Sequence, residues 1–191
     1  MEDQLYRRIL LSLEELRGSE TDRFLKFLAI LNSFLEEKGE GRIIIVGGFA
    51  AEIFSGRSYR TGDVDIIVEG NVEVVRRVLS KISDLGLRIM LPRIREISEK
   101  GIDIVSTVYD RRKEPLKLMV DRSYWVYISP PEEIIITYLE AWKFWKSDED
   151  KMKAVLVYCA QRSSLDRGYL LDESIRRNVE DYLRKLEEYC S

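Results

Sequence analysis

The spacing of hydrophobic positions changes along the chain, and each change marks an element. Over residues 3–17, Tyr6, Ile9, Leu10, Leu13 and Leu16 recur on one stripe, which predicts an amphipathic helix. Gly18 and Ser19 break it. Ser19 followed by Asp22 forms a capping arrangement for a second helix that carries Phe24, Leu28, Leu31 and Leu35 and ends near Gly39 and Gly41. The β-branched run Ile43-Ile44-Ile45-Val46 then predicts a buried strand. Val64–Val68, Leu87–Leu91, Ile102–Val108, Leu116–Val120 and Tyr124–Ile128 predict others. A short helix fits Phe49–Phe54. A longer one fits Asn71–Leu85, with Val72, Val75, Val78, Leu79 and Ile82 turned inward. After Pro130-Pro131 the helical period returns and runs to about Trp145; proline is tolerated there because its missing N–H would be unpaired anyway. Further helices fit Asp150–Gln161 and Asp172–Tyr189, the last burying Ile175, Val179, Tyr182, Leu183 and Leu186. This order predicts a helical pair over 1–40, an α/β core over 41–130 and a helical region over 131–191: a mixed α/β sheet flanked by helices.

Composition narrows the chemistry. The 191 residues include no histidine, which excludes Ser-His-Asp and Cys-His catalysis and His-ligated metals. Cys159 and Cys190 are too few for a zinc site or a disulfide scaffold, and read as ordinary core and surface thiols. The net charge of −3 gives no global basic footprint for DNA or membrane. No apolar run approaches the ~18 residues of a membrane span, and the charged N-terminus lacks a signal-peptide pattern. A soluble cytoplasmic protein is expected, working with carboxylates, Lys, Arg, Tyr, Ser or Thr.

The informative stretch runs from Ile43 to Val68. A strand ends in Gly47-Gly48 and leads into a helix, where backbone N–H groups can face a phosphate and glycine allows close approach. Asp63-Val64-Asp65 opens the next strand. Residues two apart on a strand share a face about 7 Å apart, so both carboxylates project together while Val64 turns to the core. Mg²⁺ suits such a pair, since it takes oxygen ligands from one or two carboxylates and substrate phosphates. Arg57, Arg60 and Thr61 lie in the intervening loop, and arginine can grip phosphate oxygens bidentately. Separately, each feature also has a bland reading: a plain turn, a solvated strand edge, a loop arginine paired to an acid.

Together they resemble the nucleotidyltransferase superfamily that includes DNA polymerase β, in its minimal branch. That pattern is a strand, a Gly-Gly or Gly-Ser turn, a short helix and Asp-x-Asp on the next strand. Here it reads Gly47-Gly48, fourteen residues, then Asp63-Val64-Asp65. The segment Gly48–Asp65 is similar to the Arg-Thr-x-Asp-x-Asp variant of abortive-infection and toxin–antitoxin nucleotidyltransferases. The resemblance implies a nucleotidyltransferase-type mixed sheet and transfer of a nucleoside monophosphate from an NTP to a hydroxyl acceptor. Mg²⁺ or Mn²⁺ would be held by Asp63, Asp65 and a third acid. Asp103 in Gly101-Ile102-Asp103-Ile104-Val105 matches that third acid best; Asp121 follows its strand and matches less well. Gly47, Gly48, Arg57, Arg60 and Thr61 would serve the phosphates. More loosely, Pro131-Glu132-Glu133 and Ser147-Asp148-Glu149-Asp150 resemble a later segment of the family, whose helical lysine is replaced here by Tyr138, with Lys143 as its substitute. The acceptor could be an RNA end, a protein or a small molecule, and a protein partner fits a toxin–antitoxin or defence module.

Other readings compete. A haloacid-dehalogenase phosphatase would place its acids after the first strand with a threonine two residues on, where Ile67 stands. Sugar transferases with Asp-x-Asp generally need a larger nucleotide-binding domain. A catalytically silent binding or antitoxin partner would keep the fold, and Tyr138 favours it. Tyr124-Trp125-Tyr127 and Trp142-Trp145 read as core aromatics rather than a base-stacking platform. Residues 88–113 carry seven cations (Arg88, Arg93, Arg95, Lys100, Arg111, Arg112, Lys113) against four acids, either a solvated face or a rim for an anionic acceptor.

Overall fold

The protein is described by a computed structural model over residues 2–12, 16–85 and 89–190. The chain forms two compact units. One comprises Met1–Val46, Gly62–Asp110 and Pro115–Ile128; the other comprises Gly47–Thr61, Arg111–Glu114 and Ser129–Ser191.

The first unit contains every described strand: β1 (Gly41–Ile45), β2 (Asp63–Gly70), β3 (Ser83–Leu85), β4 (Met90–Pro92), β5 (Gly101–Ser106), β6 (Leu116–Met119) and β7 (Trp125–Ile128). They form one mixed sheet in the order β3-β4-β5-β2-β1-β7-β6. β1 runs antiparallel to β2 and parallel to β7, and β2 runs parallel to β5. Gly41 and Gly70 face each other where β1 and β2 close. A Cβ on Gly41 would lie 1.9 Å from the Glu69 carbonyl oxygen, so no side chain fits there. Helices α1 (Glu2–Ser12), α2 (Glu20–Glu37) and α4 (Val72–Ile82) also belong to this unit. α2 packs on β1 and β7 and buries Phe24, Phe27, Leu28, Leu31 and Leu35. Its buried Asn32 accepts from the Ile43 N–H at 2.7 Å and donates to the Trp125 carbonyl at 3.0 Å, clipping the helix to both strands. The Ser19–Asp22 capping box expected from sequence is complete in both directions.

The second unit holds α3 (Gly47–Phe54), α5 (Pro131–Trp145), α6 (Asp148–Gln161), α7 (Arg167–Arg176) and α8 (Glu180–Glu188). α5 and α6 form an antiparallel hairpin joined by Lys146, which is left-handed at φ 57°, and by Ser147, whose hydroxyl caps α6 at the Asp150 N–H. α3 packs on both, and the Gln161 amide donates to the Phe54 carbonyl at 2.7 Å.

Four expectations need correction. The helix begun at Asn71 stops at Ile82 rather than Leu85. Ser83 turns extended, and Ser83–Leu85 pairs with β4, because Ser and Asp compete with helical backbone bonding. The single helix over 172–189 is two. Asn178 sits left-handed at φ 57°, the Val179 N–H reaches the Ser174 carbonyl and the Asn178 N–H reaches that of Ile175, closing α7 in a Schellman turn. Ile175 is therefore exposed, while Val179, Leu183 and Leu186 are buried as expected. Cys159 and Cys190 are not free thiols but a disulfide with Cα atoms 5.4 Å apart; the turn after α8 brings the chain end back to α6. The aromatic residues are not core: Tyr124, Trp125, Tyr127 and Trp142 are half-buried and Trp145 is 80% exposed. The first helix ends at Ser12; Leu13 of its predicted stripe, and Leu87 and Arg88, lie outside the described residues.

Candidate active site

The register of the sheet decides where the acids stand. In the parallel β2–β5 pair, Asp65 is directly opposite Asp103 and Asp63 opposite Gly101. Neighbouring strands are about 4.8 Å apart, and Asp63 and Asp65 share a face by strand periodicity. All three carboxylates therefore belong to one face of the sheet, while Val64, Ile66 and Ile102 are fully buried on the other. Asp63 is exposed; Asp65 and Asp103 are half-buried. Backbone bonds from Val46 N–H to the Asp65 carbonyl and from Gly101 N–H to the Gly62 carbonyl, both 3.0 Å, extend the ladder around these positions. Asp121 stands apart from this group. Its carboxylate caps the β6–β7 turn by accepting the Ser123 and Tyr124 N–H groups, and it pairs with Lys26.

The all-oxygen donor set suits a hard cation such as Mg²⁺ in chemistry and in shared face. The side chains are not drawn together, however: among the described residues no group of three or more Asp, Glu, Cys or His is gathered as an ion would gather it.

In the helical unit, Gly47 opens α3 left-handed at φ 59°, a conformation glycine adopts without strain. Gly48 faces Thr61 so closely that a Cβ would stand 2.8 Å from the hydroxyl oxygen. The loop between them is shaped by Glu52, which sequence reasoning passed over. Fully buried, its carboxylate accepts the Thr61 N–H at 3.0 Å and lies 3.7 Å from the Arg60 guanidinium. Its carbonyl accepts the N–H of Arg57, itself left-handed at φ 69°. The available signal was a lone acid on an otherwise apolar eight-residue helix.

Lys143 is turned to α8, where its ammonium meets the Asn178 carbonyl at 2.6 Å and Asp181 at 2.8 Å. A second lysine, also missed, is Lys153. Its side chain is only 13% exposed, and its ammonium lies over the rings of Tyr59 (5.3 Å) and Tyr138 (5.1 Å). Burial works against its charge, but Glu149 at 2.9 Å and Asp150 at 3.0 Å outweigh it and hold the group charged well above the ordinary lysine range. The Tyr59 hydroxyl donates to Glu149, and burial together with that carboxylate raises its pKa. Lys153 thus lies beside Tyr138.

The positive segment ending at Lys113 is stitched down by acids. Arg112 pairs with buried Glu173 at 3.2 Å, and Lys113 with Glu132 at 3.0 Å. Glu133 accepts the Lys113 N–H and the Tyr169 hydroxyl. Earlier in the segment, buried Lys100 pairs with Glu20 at 2.7 Å. These cations are largely committed within their own units rather than spread as a bare patch.

Across known structures, the chain superposes with a TM-score of 0.59 on the crystal structure of an antigenic nucleotidyltransferase-like protein from Paracoccidioides brasiliensis, covering 90% of this chain and 92% of that one at 14% identity. The chain has a nucleotidyltransferase-type fold. No protein-family model matches the sequence, nor does any curated protein, so the likeness is carried by the fold. The eight helices and the seven-stranded mixed sheet described above are consistent with that fold. Among the described residues, no helix is long and apolar enough to cross a membrane.

Proposed function

We propose that the protein is a metal-dependent nucleotidyltransferase that moves a nucleoside monophosphate from an NTP to a hydroxyl acceptor. The observation that carries this reading is the register match of Asp65 with Asp103, with Asp63 on the same face, in a nucleotidyltransferase-type fold. Asp63, Asp65 and Asp103 would hold Mg²⁺ or Mn²⁺, which when bound neutralises triphosphate charge and activates the acceptor hydroxyl. The backbone N–H groups at Gly47-Gly48 and the Thr61 hydroxyl bind phosphate oxygens, with Arg57 and Arg60 alongside. Lys153 supplies the ammonium that Tyr138 cannot, and Lys143 braces α8. Positioning and charge complementarity account for the rate, as in phosphoryl transfer generally. The acceptor is an RNA end, a partner protein or a small molecule, in keeping with a toxin–antitoxin or defence role.

Incubation with each α-labelled NTP, Mg²⁺ or Mn²⁺ and cell extract tests this. Label should appear in one acceptor class and vanish with EDTA. The ungathered carboxylates and Tyr138 favour the second reading, a silent binding partner. That reading expects no label with any NTP, together with stable capture of one protein from the extract.

A further inference from the structure

The exposed aromatic face of the helical unit has no part in the chemistry proposed above. Trp142 packs edge-on against Tyr182 (4.7 Å between ring centroids) and Tyr189 (6.3 Å). One helical turn on, Trp145 stands 80% exposed and Phe144 beside it 52% exposed, where α5 ends. Lysines are interleaved with these rings. Lys151 lies over Trp142 at 5.3 Å and Tyr189 at 4.6 Å, and Lys146 and Lys185 lie over Tyr182 at 5.6 and 4.1 Å. A groove of about 320 Å³ opens beside them, lined by Met152, Val155, Leu156 and Tyr189, with Lys151 and Asp148 contributing its charged groups. The disulfide from Cys190 to Cys159 keeps Tyr189 against α6.

We infer that this face binds single-stranded nucleic acid, with bases stacking on Trp145 and the Trp142–Tyr189 rings and phosphates meeting Lys146, Lys151 and Lys185. A protein-docking face would gather its rings into an apolar centre depleted of charge, with the polar groups kept to the rim. Here ammonium groups alternate with ring faces, the pattern that suits a chain of alternating bases and phosphodiesters. Unpaired bases are required, because a duplex buries its ring faces in the stack. Asp148 in the groove can accept from a base N–H or exocyclic amine. The inference stands on the helical unit alone and holds whether or not the chain transfers nucleotides.

The test is fluorescence anisotropy of a labelled oligouridine of about 20 nucleotides, titrated with the full-length protein at about 50 and about 200 mM salt. We expect saturable binding that weakens with salt. Trp145→Ala should weaken it about tenfold or more, while Trp145→Phe should retain most of it, since either ring can stack. Lys146→Glu with Lys151→Glu should weaken it at least as much and flatten the salt dependence. Trp145 is exposed, so thermal unfolding followed by circular dichroism should match the parent. Absence of binding at low salt, equal affinity for a duplex of the same length, or unchanged affinity in Trp145→Ala would each overturn the inference. So would sedimentation showing a Trp145-dependent dimer, which would assign the face to a second copy.

Discussion

The two units each carry a cluster of charged residues, and the two clusters are built in opposite ways. On the sheet, strand register sets Asp65 opposite Asp103 with Asp63 on the same face, a placement made by the backbone itself. In the helical unit, fully buried Glu173 meets Arg112, Arg176 and Arg177. Their hydrogen bonds, Arg176 foremost, outweigh burial and pull its pKa down to about 2. The chain's own cations satisfy the second cluster, which makes it a rivet. The first sets three carboxylates on one face of a rigid platform, an arrangement that on the proposed reading suits a cation brought with a ligand. On the proposed reading, acidic residues serve architecture in one place and chemistry in the other, and perturbing each should separate the two roles.

The largest effect should come from the sheet. Asp63→Asn with Asp65→Asn is expected to lower nucleotidyl transfer by about 10⁴-fold or more. A variant that keeps its transfer rate would end the mechanistic half of the comparison. Glu173→Gln should do the reverse, costing roughly 3 kcal/mol in denaturant unfolding because it strips a buried carboxylate from its arginines. Its pH dependence has a definite sign. A folded pKa depressed from 4.5 to about 2 gives stabilisation that is full above the unfolded value and is lost as pH falls between them. The parent should therefore lose stability more steeply than Glu173→Gln from about pH 4.5 to about pH 2.

How far all this could be read from the sequence differs between the units for the same physical reason. β1, β2 and β5 announce themselves by β-branched runs, and a two-residue period fixes which side Asp63 and Asp65 take. Asp103 was legible because Gly101–Val105 repeats that pattern. That Asp65 and Asp103 are register partners was not, since pairing is a tertiary choice. In the helical unit the local signals misled. Asn178 ends α7 through a left-handed turn that a continuous hydrophobic stripe conceals, and the Cys159–Cys190 pairing depends on how α8 returns. Lys153 and Glu52 were overlooked because a charge on a helix reads as solvated until its neighbours are known.

Two smaller effects sharpen the contrast. Cys159→Ser with Cys190→Ser opens a loop spanning a sequence separation of 31, and should cost roughly 2–4 kcal/mol in unfolding. Transfer by the acids should be unchanged. Lys153→Met asks whether an ion cluster in the helical unit serves chemistry as well as packing. On the proposed reading, KM for NTP rises about tenfold with little change in kcat, a loss of uniform binding. A fall in melting temperature with KM unmoved would make Lys153 another rivet.

The disulfide also governs how the molecule bears load. Its bond joins Cys190, just after α8, to Cys159 near the end of α6. A pull applied beyond Cys190 is therefore delivered to α6, and α7 and α8 hang in a closed ring outside the line of force. Stretched from points on either side of residues 159–190, the oxidised chain should yield a contour length shorter by the 31-residue separation, roughly 100 Å at about 3.4 Å per residue, and recover it only under reductant.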